Sequence, residues 1–192
     1  KISFKVNLGV ETIERKNIDT TLTWELPDDE TIAKANIGFL SRPLGATRLK
    51  LNGWYQYKNS SDPAYGAALE DSHQVFFSAL YSSKQNWGMN FTTRALQEFN
   101  DNCERELIGD DITVTEEIDR ERQQQSVNLG LWYSITPGIT TSLNYGYART
   151  KISQDLLFGV NPDSNYFAST NYVIADEDVE FLQEVNTVNG SI

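Results

Sequence analysis

Asp71, Ser72 and His73 stand side by side and are the residue types of a nucleophile, a base and an orienting carboxylate. Neighbouring side chains of an extended segment point apart, so adjacency cannot assemble a triad, and His73 reads as a loop histidine at the mouth of a strand. Cys103, the one cysteine, sits in the acidic run DNCERE, the wrong electrostatic setting for a reactive thiolate. NPDSN at 161–165 spaces oxygen ligands as a calcium loop does, but Tyr166 occupies the glycine position and no glutamate follows at the required distance. One cysteine and one histidine leave no zinc spacing and no haem attachment motif. No catalytic residue, metal site or cofactor is expected, and the chain reads as a non-enzyme.

What remains is charge at alternate positions. In TRLKLNGWYQYK, Arg48, Lys50, Asn52, Gln56 and Lys58 alternate with Leu49, Leu51, Gly53, Tyr55 and Tyr57. That is the period of a strand with one wet and one apolar face. The net charge of −11 excludes nucleic acid as a partner, since phosphate binding rests on clustered Lys and Arg. No stretch approaches the roughly 18 apolar residues of a membrane helix, which excludes a helical membrane protein and leaves a transmembrane barrel open.

The same alternation predicts eight strands: 1–10, 17–26, 31–40, 47–58, 73–83, 86–99, and a last pair in LGLWYSITPGITTSLNYGY at 129–147, bent at Thr136, Pro137 and Gly138. Links at 41–46, 82–86 and 136–138 are short, whereas those at 59–72, 100–123 and beyond 152 are long and polar. Short and long links alternate as periplasmic turns and extracellular loops do in outer-membrane barrels. The link PDDE, between the second and third strands, breaks the scheme.

Amphipathic rings collect where a bilayer meets water, so aromatic position separates lipid from a protein core better than hydrophobicity does. Phe39, Tyr81, Trp87 and Tyr133 fall beside short links. Trp24, Tyr55, Tyr57, Phe99, Tyr145 and Tyr147 fall beside the other strand ends, and these ten are the expected membrane-interface aromatics. The span from Trp87 to Phe99 is about 28 Å at ~3.3 Å per residue and a 45° tilt. Trp54, Phe76, Leu80 and Trp132 fall on the other side, which requires some apolar contact there too.

That other side, taken as a lumen, carries Lys34, Arg48, Lys50, Asn52, Gln56, Lys58, Arg94, Asn128 and Asn144. With Lys1 and Lys5, its basic residues outnumber Asp19, Glu25 and Glu98, which in a pore would favour anions or seat an acidic partner.

RLKLNGWYQYKNSSDP and TTSLNYGYARTKIS resemble hairpins of Gram-negative outer-membrane β-barrel proteins, a likeness of pattern over residues 1–152. It implies an all-β, antiparallel up-and-down transmembrane β-barrel in the outer membrane, contacting lipid and lipopolysaccharide and forming the wall of a pore. Within that class, a strand running into Tyr-x-Tyr-Lys-Asn is similar to the barrel sheaths of porin-cytochrome electron conduits, which implies a multihaem cytochrome as partner. The rival is a soluble all-β binding or adhesion module, whose two sheets would cover each other's apolar faces. Residues 153–192 are expected as a long loop or further strands. The chain ends VNTVNGSI rather than on Phe or Trp, and the first and last strands would begin and end on the long-link side. Both features predict an arc of a larger barrel.

Overall fold

Val, Ile, Tyr, Phe, Trp and Thr dominate the alternating segments, and their branched or aromatic side chains suit a pleated surface. The computed structural model describes residues 2–14, 29–43, 48–61, 70–109, 112–160 and 173–192, of which 101–109, 112–119, 155–160 and 173–178 by backbone alone. The strands are β1 (Ile2–Glu14), β2 (Asp29–Ser41), β3 (Leu49–Ser60), β4 (Asp71–Ser82), β5 (Trp87–Gly109), β6 (Ile112–Thr136), β7 (Ile139–Val160) and β8 (Val173–Ser191). They form one eight-stranded sheet in sequence order, each antiparallel to the next. This is the expected all-β, up-and-down fold class. No ladder joins β1 to β8 among the described residues, so the sheet is open.

Three expectations are corrected. The segment predicted as the second strand, 17–26, lies outside the described residues, and it is the expected third strand, now Asp29–Ser41, that pairs directly with β1. Asp29 and Glu30 of PDDE belong to β2, and the separations between strands alternate long and short except at β5–β6, where only residues 110–111 intervene. The polar run 100–123 is not a free link: β5 and β6 continue as paired ribbon through Gly109 and Ile112, with a register shift between Asn100 and Cys103. Both faces of such a ribbon can meet water, so no apolar alternation announces it. Finally, Ile2 stands beside Ser41 and Ser191 beside Ser142, so β1 begins and β8 ends on the short-link side. Pairing β1 with 29–41 reverses the sense of β1 while the later strands keep theirs, and β8 returns the chain to the short-link side. The strand ends thus give no reason for an arc, whereas the unpaired edges of β1 and β8 do.

At the short link between β4 and β5, Asn86 adopts φ 62°, the left-handed region that asparagine tolerates better than other side chains. Its carbonyl accepts from the Ser134 N–H at 2.8 Å, and Ser83 N–H donates to the Trp87 carbonyl at 2.8 Å. Asn86→Gly is expected to be neutral, and Asn86→Val to cost about 1–2 kcal/mol through backbone strain. Denaturant midpoints of the two variants check this.

Candidate functional site: an uncovered apolar band and a basic polar wall

Cross-strand register assigns each side chain to a face. On one face lie Ile2, Phe4, Val6, Leu8 and Val10 of β1, opposite Ser41, Phe39, Ile37, Ala35 and Ala33 of β2. Pairing carries this face through Leu51, Tyr55 and Tyr57, then Val75, Phe77, Ala79 and Tyr81, then Met89, Phe91 and Ala95, then Val127, Leu129, Leu131 and Tyr133, and Leu143, Tyr145 and Tyr147. Apart from Trp24, which lies outside the described residues, every expected interface aromatic is on it. Every expected lumen residue that lies in a strand is at an alternate position on the opposite face, and Arg48 lies in the turn that precedes β3.

Nothing covers the apolar face among the described residues. Phe4 is 74% exposed, Leu8 80% and Leu143 53%. Substantial contacts between elements join only strands consecutive in sequence. The second layer that a soluble sandwich needs is thus not formed by the described residues.

The band's edge runs diagonally across the sheet. One cross-strand row reads Val10, Ala33, Asn59, Asp71, Phe99, Glu121, Ser153, Glu180. With the band taken to end at the last apolar residue before the first charged, amide or imidazole side chain, its edge toward the long links is in this row on β1 and β2, two residues away on β3 (Tyr57), four on β4 (Val75) and β5 (Ala95), six on β6 (Val127) and β7 (Tyr147), and eight on β8 (Val188), with Phe99 and Leu182 as apolar residues standing beyond it. That drift is about 26 Å along the strands over about 34 Å of sheet width, an inclination of about 38°. From Ile139 to Tyr147 the band is about 26 Å along the strand, or about 21 Å tall when so tilted. Beyond the edge the face is mainly polar, Phe99 and Leu182 apart: Arg149 pairs with Glu184 at 3.5 Å and Lys151 with Glu180 at 2.9 Å. Glu121 accepts from Gln123 and Gln97 at 2.7 and 2.9 Å, which holds its carboxyl below the usual range.

Tyrosines mark that edge, and each hydroxyl reaches one row farther toward the polar side. Tyr55 meets His73 Nδ1 at 2.7 Å, Tyr57 donates to Asp71 at 2.7 Å, Tyr145 to Asn186 at 2.8 Å and Tyr147 to Glu184 at 3.2 Å. Each ring stays over apolar neighbours while its polar tip turns to the wet side. His73 is therefore not a loop residue: it lies within β4, its ring 5.0 Å from that of Tyr57 and 5.6 Å from that of Phe99. Alternation alone places it on the face of Tyr55 and Tyr57. Phe99 belongs to this cluster, beyond the band's edge. Tyr81 and Trp87 meet at 5.3 Å at the short-link end.

The other face is mainly polar: some of its apolar residues pack on one another or over glycine, while Leu80, Val179, Phe181 and Val185 are exposed. Trp54 stacks on Phe76 at 5.6 Å, and Trp132 lies across Gly88. Extending even-numbered positions through β6 adds Arg120 and Arg122, which the loop reading of 100–123 had hidden, while Glu11 and Glu30 join from β1 and β2. Lys1, Asp19 and Glu25 lie outside the described residues, as do the side chain of Cys103 and the segment NPDSN. Lys34 pairs with Glu11, and Arg122 Nη1 approaches Glu98 Oε2 at 3.5 Å. A concavity of about 530 Å³ on this side is lined by Lys58, Gln74, Arg94, Glu98, Arg122 and Gln124 among others. No group of metal-ligating side chains and no helix able to cross a membrane occurs among the described residues. Such an arrangement can separate an apolar phase from a wet, positively charged surface.

Comparison of the chain with protein-family models, with curated proteins and with solved structures finds no match.

Proposed function

We propose that this chain forms part of the wall of a transmembrane β-barrel in the outer membrane of a Gram-negative bacterium, with lipid on the apolar face and an aqueous pore on the polar one. The observation that carries the reading is the diagonal apolar band. Its inclination of about 38° falls within the tilt of roughly 35–45° at which barrel strands cross a bilayer, and its height is near the ~25 Å of a barrel's lipid-facing belt. A water-soluble sheet gains nothing from an inclined band left bare, and so large an exposed apolar surface marks a contact with lipid or protein. The free edges of β1 and β8 suit an arc that further strands complete, since unpaired backbone groups cannot face hydrocarbon. The strands of β5 to β8 run on past the band and would stand outside the membrane.

The full-length protein from outer-membrane fractions should migrate faster in detergent gels when unheated than when boiled, because a closed barrel resists detergent unfolding. Equal migration, with the protein recovered in detergent-free buffer, would overturn the proposal.

A further inference from the structure

We infer that the polar wall holds a binding and selection station for small oxyanions, of the size of inorganic phosphate or a short carboxylate, built from Lys58, Arg94 and Arg122; as a selectivity element it rests on the pore reading above. These three cations line one concavity of about 530 Å³ together with Arg149, which pairs with Glu184, and the carboxylate of Glu98, which leaves the site positive in a chain whose net charge is −11. Glu98 is already engaged, 3.5 Å from Arg122 Nη1 and 3.4 Å from the Ser72 hydroxyl that donates to it.

Arg94 is held differently. With its carboxamide oxygen turned to the guanidinium, Gln74 accepts from Arg94 Nη2 and Nε at 2.5 and 3.0 Å. A neutral acceptor fixes the orientation of the fork without cancelling its charge, and a fixed guanidinium suits a planar or tetrahedral oxyanion. Lys58 stands directly opposite Lys34 in the ladder between β2 and β3. Like charges in that relation repel. Glu11 compensates Lys34, so Lys58 keeps its charge for a ligand. Gln56, Gln124 and Ser126 border the same concavity and can complete the hydrogen bonding of an anion.

The position is also that of an entrance. Lys58 and Arg94 adjoin Tyr57 and Ala95, the band's last apolar residues toward the long links on β3 and β5. An anion arriving from that side meets Lys58 and Arg94 before the amide-lined stretch of Asn52, Asn90, Asn128 and Asn144, where Lys50 is the next cation. Charge set at a pore mouth raises the local concentration of counter-ions and so biases what enters.

The test is ion selectivity of the full chain in planar bilayers. Across a potassium chloride gradient near 0.1 M, where charges act over about 10 Å, chloride should permeate about threefold or more over potassium. Arg94→Glu combined with Lys58→Glu should invert that preference, and Arg94→Lys should keep it. A channel that prefers cations, or whose preference ignores the double variant, overturns the inference while leaving the pore reading standing. Should no channel open, the pore reading fails and inorganic phosphate titrated into the folded, detergent-solubilised chain decides the station separately. Saturable binding weakened about tenfold by Arg94→Gln, with an unchanged circular dichroism spectrum, supports it. Absence of saturable binding overturns it.

Discussion

Leu143→Arg should lower the stability of the protein folded in phospholipid vesicles by about 2–4 kcal/mol, whereas Asn144→Arg should change it by less than about 1 kcal/mol. The two residues are neighbours on β7, both are exposed, and neither is confined by a second layer. Steric room is therefore equal, and only the medium on each face differs. Leu143 lies midway between Ile139 and Tyr147, where an arginine head has the longest reach to either interface and loses most hydration. Asn144 faces the wet wall, where a further cation meets water. If both faces met water, each substitution would stay within about 0.5 kcal/mol, as surface changes usually do. Denaturant titration of both variants in vesicles reads the difference, and equal costs would remove lipid from the apolar face.

How much of this was legible beforehand follows from what a period of two can carry. Parity was: Leu51, Tyr55 and Tyr57 separate from Arg48, Lys50 and Lys58 in the sequence, and a single sheet preserves that separation strand after strand. Register was not. Residues 18–24 alternate as convincingly as 31–39, so periodicity alone could not say which of them pairs with β1. The inclination of the band needs every ladder in place, because it is a relation between Val10, Tyr57, Val75, Val127 and Val188 that no one strand contains. The arms of β5 and β6 beyond the band stayed hidden for the opposite reason. Where water can lie on both sides, polar residues serve at every position, and an extended pair such as Glu98 with Arg122 is indistinguishable from a loop until its partner is known. Local chemistry suffered similarly: His73 was visible as the chain's one histidine, but its bond to Tyr55 depends on the pairing of β3 with β4.

The other large effect concerns a point where backbone, not medium, sets the limit. Gly88→Val should cost about 3 kcal/mol or more and deplete the folded form, because a small-to-large change here meets atoms that cannot yield. A Cβ at Gly88 would lie 2.5 Å from the Tyr81 carbonyl oxygen and 2.5 Å from Trp132 Cζ2. The indole could swing aside, but the carbonyl belongs to the β4–β5 hairpin, whose turn is already held by Asn86. Relief would require parting the hairpin and surrendering ladder hydrogen bonds. Trp132 covers the bare backbone of Gly88 much as aromatic side chains compensate glycines in other sheets. Gly88→Ala with Trp132→Leu should therefore recover only part of the loss, since the carbonyl remains. Gly9→Ala is the control: an added Cβ there has nothing within 4 Å, and the exchange should be neutral or slightly stabilising. Denaturant midpoints order the three, and a Gly88→Ala variant as stable as Gly9→Ala would mean that the hairpin tolerates a Cβ between Tyr81 and Trp132.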